Sequence, residues 1–442
     1  MAILTKVAAV VQSLLSDGAK LEAEQCEVIR RKRKFAPATL ARTFVLGFLA
    51  KPNASDEELA QTAALCGVEV TPQAVEQRFT PRLVAFLQGL FRRAMVCLVQ
   101  SDASMAPLLD RFATVQVLDS TTITLPAELR DQFPGCGGSH GGGQAAMKLQ
   151  VQWDLRRGGF EAIAIEAGRD CDYKTPLQSR ALPPGSLRIS DLGYFDIEVF
   201  RGIAAAGSFW LSRLQFGTAV FRPDRTRLSL LQWLSRQPGP FVDKAILLGA
   251  DQQMPCRLVA WRVPQEVANR RRQKLIAEAR RKDGRTPSDE RLAWCDWMIF
   301  VTNVPAEQLS APEMAVLYRA RWQIELLFKR WKSQGLVAEL TGSTVVRQMV
   351  RLWSRLLAVL VLHWLMLTTI WGDPRRSLKK ASDAIRRGSL MLARALGSQA
   401  ELEAAITTLA RMVRVTARQN KRRQHSTFDL LNDPSLLEYR LT

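Results

Sequence analysis

Three carboxylates and a short polar stripe hold the chemistry that this sequence can be asked to perform. In the segment PEMAVLYRARWQIELLFKRWKSQ, which begins at Pro312, Arg321, Glu325 and Lys332 fall within roughly 60° of Tyr318 on a helical wheel. Val316, Leu317, Ala320, Ile324, Leu327 and Trp331 occupy the opposite side, so one face can pack on a sheet. The other offers a carboxylate flanked by a phenol, a guanidinium and an ammonium. A solvated helix face laced with i,i+4 ion pairs carries the same residue types. Two further carboxylates bear on that choice. Asp119 shares a face with Val115 and Val117 in the alternating segment TVQVLDSTTITL. Asp191 ends the strand-like SLRIS, where the loops of a mixed sheet form a crevice. Carboxylates at core-strand positions are costly unless paired or bound to metal. Asp119, Asp191 and Glu325 together suit two Mg²⁺ ions, which take a few carboxylates plus substrate phosphate. Two such ions about 3.5–4 Å apart serve phosphodiester chemistry, activating one oxygen and stabilising another.

Composition points to the same kind of substrate. The 442 residues carry 62 Lys+Arg against 42 Asp+Glu, a formal net charge of +20. Such an excess calls for a polyanionic partner, with nucleic acid as the default. With 47% hydrophobic residues, global disorder is excluded. The seven cysteines are scattered and form no CxxC pair, and the three histidines (His140, His363, His425) lie far apart. Disulfide scaffolds and histidine metal cages are therefore unsupported, and a reducing cytoplasm is expected. The N-terminal apolar stretch lacks the basic start of a signal peptide. The longest apolar run, Leu356 to Trp371, is shorter than the ~20 residues a spanning helix needs. It is expected to be a buried helix, with no membrane involved.

Residues 1 to about 105 read as helical, with Gly18 placed as a C-cap. Ser55 and Glu58 form a capping box, and Thr71-Pro72 opens a second helix running through TPQAVEQRFTPRLVAFLQGLF. The pair resembles a helix-turn-helix, with Gln73, Glu76, Gln77 and Arg78 where a recognition helix meets bases. An ordinary helical hairpin would have the same pattern. AAMKLQVQWDL and FEAIAIEAG read as a hairpin around Arg156–Gly159, followed by alternating helix and strand from SLRIS to SFWLSRL. From 215 to about 305, short strand candidates surround a basic helical segment containing Arg271 and Lys274. Basic residues recur at Arg30–Lys34, Arg270–Arg285 and Arg411–Arg423, the last including Arg422. Their expected role is contact with a phosphate backbone. Gly135–Gly143 lacks the GKS/T ending of a phosphate loop and reads as a plain loop carrying His140.

Tyr318-x2-Arg321-x3-Glu325-x6-Lys332 resembles the YREK signature of bacterial insertion-sequence DDE transposases, the hairpin-forming, cut-and-paste group. Asp119-Ser-Thr121 and Asp191-Leu-Gly-Tyr194 resemble the segments around that family's first two catalytic aspartates. The resemblance implies an α/β, ribonuclease-H-like (retroviral-integrase-like) mixed-sheet catalytic domain with a β-rich insertion. The chain between Asp191 and Glu325 is nearly twice as long as that between Asp119 and Asp191, which leaves room for the insertion. The implied division is a helical DNA-binding region (1–108), a catalytic domain in two parts (109–214 and 307–350), the insertion (215–306) and a C-terminal helical region (351–442) suited to dimerisation. Asp119, Asp191 and Glu325 would be metal ligands for Mg²⁺, with Mn²⁺ able to substitute and two ions per site. Tyr318, Arg321 and Lys332 would grip phosphates. Arg78, Arg271, Lys274 and Arg422 are the other expected DNA contacts. The implied partners are double-stranded DNA, as terminal inverted repeats and target, and a second copy of the chain, in the bacterial cytoplasm at the nucleoid. In some relatives a tryptophan of the insertion stacks on a flipped base. Trp261, Trp294 and Trp297 are the candidates, each better suited to core packing. A nuclease that cuts without joining, and a catalytically inactive DNA-binding regulator, are the alternatives.

Overall fold

The computed structural model describes residues 3–29, 34–136, 144–239, 241–284, 286–337, 340, 343–371, 373, 375–420 and 425–437. Among them nine strands, paired mostly antiparallel, combine with helices in a mixed α/β protein. The chain divides into two compact units. One comprises Met1–Met105, Ser120–Asp170 and Ile324–Lys421, and the other Ala106–Asp119, Cys171–Gln323 and Arg422–Thr442.

The second of these units carries three parallel strands, two of them leading to the aspartates. β1 (Val115–Thr124) contributes its first half here, and β2 (Ala146–Asp154) and β3 (Phe160–Ala167) belong to the other unit. β4 (Leu187–Ser190) runs parallel to β1, pairing Val117 with Ile189. β5 (Phe209–Arg213) runs parallel to β4, pairing Ser190 with Ser212. The next strands are β6 (Val220–Phe221), β7 (Phe241–Leu248), β8 (Met254–Arg262) and β9 (Trp297–Thr302). They do not build a sheet of their own. β9 lies antiparallel on β5, and the order continues β5-β9-β8-β7-β6. The join is fastened by Asn303, whose Oδ1 accepts from Trp210 N (2.8 Å) and whose Nδ2 donates to Ser208 O (3.0 Å). The segment expected as an inserted subdomain thus extends the sheet of the aspartates, because β9 offers β5 an apolar, hydrogen-bonding partner.

In the other unit β2 and β3 form the expected antiparallel hairpin, with β2 beside β1. Gly158, in its turn, has φ +75°, and a Cβ there would stand 2.5 Å from Trp371 Cε2. The long apolar helix Val345–Thr369 is buried, as its composition requires. It is stapled to the N-terminal helices by Arg347, whose guanidinium donates both ways to Asp56, and by Arg355, which donates to Pro52 O (2.7 Å). Two expectations about the N-terminal region do not hold. Gly18 is no cap: it is buried with φ −57°, inside a π turn (Leu14–Gly18) that carries the first helix into the next. The proposed recognition helix is two helices, Pro72–Glu76 and Pro81–Met95. Thr80 caps Leu83 N, and Pro81 has no N–H with which to continue the preceding turn. Arg78 falls in the break, over the ring of Phe35 at 5.5 Å.

Candidate functional site

The helix expected from Pro312 onward is two helices, α1 (Ala311–Ala320) and α2 (Trp322–Ser333). They meet at Arg321, whose backbone (φ −50°, ψ −37°) remains helical, so the i,i+3 and i,i+4 relations persist across the joint. The start of α1 is fixed by a capping box between Ser310 and Glu313. Arg111, just before β1, donates to both oxygens of Glu313 (2.9 and 2.6 Å) and to Gln308 O (3.0 Å). Burial alone would raise the Glu313 carboxyl, but Arg111 and the Ser310 hydroxyl hold it below the usual carboxylate range. The strand bearing Asp119 and the helix bearing Tyr318 are thereby held at a set spacing.

Asp119 lies two residues beyond Val117, and Asp191 two beyond Ile189, its partner in the parallel register. Two carboxylates on neighbouring strands repel unless a cation compensates them. That cation is Arg321. Its Nη1 stands 3.8 Å from Asp119 Oδ2 and its Nη2 stands 3.7 Å from Asp191 Oδ1. The guanidinium is mostly buried, whereas the Asp191 side chain is 41% exposed, so this group has a solvent-facing side. Tyr318 completes it by donating its hydroxyl to Asp191 Oδ1 (3.2 Å). Burial first, and then the Asp191 charge, push the Tyr318 phenol far above its ordinary range, so it stays a hydrogen-bond donor. Its ring rests on Phe300 (4.9 Å), and Phe300 rests on Trp261 (5.6 Å).

One member of this group was not anticipated from the sequence. Arg213 closes β5 one residue past Ser212, the register partner of Ser190, just as Asp191 follows Ser190. Its charge is felt by Tyr318, and also by Arg271, whose guanidinium is lowered first by burial and then by Arg213. The available signal was a basic residue at the carboxyl end of a strand parallel to the Asp191 strand, where ligands of open α/β sheets bind.

The other sequence candidates fall elsewhere. Glu325 lies in the first turn of α2, half-buried, and Lys332 is exposed in its last turn. The division between units falls inside α2, so both belong to the first unit. Arg271 donates to Trp297 O (3.3 Å), and its neighbour Arg272 pairs with Asp296. These two fasten the basic helix Gln265–Asp283 to β9, while the Lys274 side chain is 80% exposed beside Glu278. Trp261 and Trp297 are buried, and Trp294 packs edge-on against Phe216, so all three serve the core. Arg422 and His140 lie outside the described residues. Among the described residues, no group of three or more His, Cys, Asp and Glu side chains stands ready to hold a metal ion.

What the arrangement offers is a pair of hard oxygen donors sharing the Arg321 guanidinium, beside the Tyr318 phenol and a second guanidinium, that of Arg213. Such a donor set fits a divalent, oxygen-loving ion, and its cationic surroundings fit a phosphate diester. Residues 110–361 match the family described as the transposase DDE domain. The chain is 26% identical over 438 residues to the transposase for insertion sequence element IS231F of Bacillus thuringiensis subsp. israelensis, covering 92% of this chain and 91% of the relative. It is 25% identical to the transposase for insertion sequence element IS1151 of Clostridium perfringens, over 68% of this chain and 67% of the relative. The putative transposase InsL for insertion sequence element IS186A of Escherichia coli K12 is 28% identical, over 50% and 57%.

Proposed function

The chain belongs to the transposase DDE domain family, a family of enzymes acting on DNA, and from that premise we propose that it is a YREK-group insertion-sequence transposase that cuts its element out and joins it to a target. The observation that carries the reading is Arg321 held between Asp119 and Asp191, with Tyr318 donating to Asp191. The parallel trio β1, β4 and β5, together with the β2–β3 hairpin, supports a ribonuclease-H-like core.

Asp119 and Asp191 are the first two metal ligands in this reading, and Glu325, four residues along the chain from Arg321, is the third. Family membership carries a requirement for divalent metal. Two ions, Mg²⁺ or Mn²⁺, would supply Lewis-acid polarisation of the phosphoryl oxygens and activation of the attacking oxygen. The remaining roles belong to the chain itself. Tyr318, by its hydroxyl, holds Asp191 oriented while staying protonated. Arg321 neutralises the carboxylates in the free protein and turns its planar fork to a phosphate when DNA is bound. Arg213, beside Asp191, adds a second cation for the strand at the cut. Lys332 grips the backbone as a point charge. Arg78, Arg271, Lys274 and Arg422 are assigned to the flanking duplex, with Arg271 also anchoring its own helix. A homodimer would hold two terminal inverted repeats together, in the bacterial cytoplasm.

DNA carrying the ends of the encoding element tests this reading. Incubated with the purified chain and Mg²⁺ or Mn²⁺, it should be cut at the repeat ends and yield hairpin and strand-transfer products. Glu325→Gln should bind these ends and leave them whole. Cutting without joining would replace the reading with a nuclease. Binding without cutting by the folded wild type would replace it with a regulator.

A further inference from the structure

The C-terminal helices carry a second charged surface. Helix α3 (Leu378–Gly388) and helix α4 (Gln399–Thr416) come together at Gly388, where a Cβ would lie 2.4 Å from Leu409 Cδ2. Beside that contact the two helices flank a groove of about 640 Å³. Lys380, Asp383 and Arg387 line it from α3, and Arg411, Met412 and Val415 from α4. Asp383 is the one carboxylate among these lining residues, and it accepts from Gln334 Nε2 (3.3 Å). Lys380 is fixed in place, donating to Arg418 O (3.0 Å) and Asn420 Oδ1 (2.9 Å). This draws the chain after α4 back along residues 375–377, where Arg376 and Arg418 form an isolated antiparallel bridge. Like charges set directly opposite across such a bridge are destabilising. Asp373 offsets Arg376 (2.7 Å), and Arg418 is exposed. Val415, at the groove's edge, is 80% exposed.

We propose that the groove between α3 and α4 is a binding site for the sugar-phosphate backbone of duplex DNA, separate in the chain from the Asp119–Asp191 group. Phosphates would lie on Lys380, Arg387 and Arg411, and the apolar ledge of Met412 and Val415 would meet the deoxyribose faces. Charge decides between the possible occupants. A second copy docking by the same face would set these cations against one another, whereas a polyanion satisfies both walls at once. Contacts of this kind carry no sequence information, so the site would hold DNA of any sequence. The inference rests on reading the chain as an enzyme that handles DNA, and it adds a place where DNA other than the cleaved end is held.

The test measures binding of the full-length protein to a short duplex of arbitrary sequence by fluorescence anisotropy, over a series of KCl concentrations. The double variant Arg387→Gln/Arg411→Gln should bind at least tenfold more weakly at low salt. Its slope of log K against log[KCl] should shrink by about 2. Val415→Asp, which puts a carboxylate at the groove's edge, should weaken binding while its melting temperature stays at the wild-type value. Wild-type affinity and slope in both variants would overturn the proposal. So would a change in self-association by sedimentation with an unchanged DNA slope, which would give the groove to a second copy. Metal-dependent end cleavage is assayed on the same wild-type preparation. Its absence would count against the transposase reading alone, since the groove is judged by binding.

Discussion

Asp119 and Asp191 stand at equivalent places on adjacent parallel strands and share a single guanidinium, that of Arg321, at 3.8 and 3.7 Å. Both contacts are longer than a hydrogen bond, so across them the guanidinium acts on the pair through its charge. The proposed metal site would exchange that guanidinium for an ion.

Arg321→Ala should therefore cost about 1–2 kcal/mol of stability in metal-free buffer, an amount discounted for the exposure of Asp191. Added Mg²⁺ should raise the melting temperature of the variant more than that of the wild type, because the ion no longer competes with the guanidinium. Equal shifts in the two proteins, followed by thermal melting, would contradict the competition.

Tyr318→Phe keeps the ring against Phe300 and removes the hydroxyl that donates to Asp191. Loss of one hydrogen bond to a charged acceptor predicts about a tenfold slower cleavage step in single-turnover assays. Folding should be nearly unaffected. A wild-type rate would show that Asp191 is oriented by other contacts.

His363 gives a pH signature independent of catalysis. It is fully buried in Val345–Thr369, stacked on Phe160 at 3.9 Å, with Nε2 donating to Gly158 O (2.6 Å). Burial, only partly offset by that bond, lowers its pKa to about 4. The unfolded chain takes up this proton near pH 6.5, before the folded protein does. Stability should thus fall as the pH drops from about 6.5 towards 4 and level off below that. In His363→Phe, urea unfolding followed across this range should lose that component of the pH dependence.

Gly158→Ala tests the turn that receives His363. The positive φ and the 2.5 Å approach to Trp371 both oppose a side chain. The variant should unfold about 2 kcal/mol more easily in denaturant. An unchanged midpoint would mean that the turn relaxes freely.

How much of this was legible in the sequence depended on the range of the interactions. Alternation in TVQVLDSTTITL, the β2–β3 hairpin and the strand ending at Asp191 are local patterns, and each reads directly. Tyr318 and Arg321 were also readable, because three residues along a helix fix a shared face wherever the helix packs. Thr80-Pro81 repeats the start signal of Thr71-Pro72, yet the apolar pattern running through it made two helices look like one. Gly18 misled for the opposite reason: a glycine buried within a helix carries the same letter as a cap. The pairing of β9 with β5 joins residues distant in the chain, and no local pattern announces it. Arg213 became visible as a site residue only through the β4–β5 register.

In the proposed function, Asp119, Asp191 and Glu325 would hold one metal centre between them. Mn²⁺ titration of the DNA-free protein, followed by electron paramagnetic resonance, tests it most directly. Asp119→Asn, Asp191→Asn and Glu325→Gln should each remove or sharply weaken the bound-Mn²⁺ signal while leaving the melting curve cooperative. If Glu325→Gln binds Mn²⁺ as the wild type does, the third carboxylate has been wrongly assigned and the three-carboxylate centre fails.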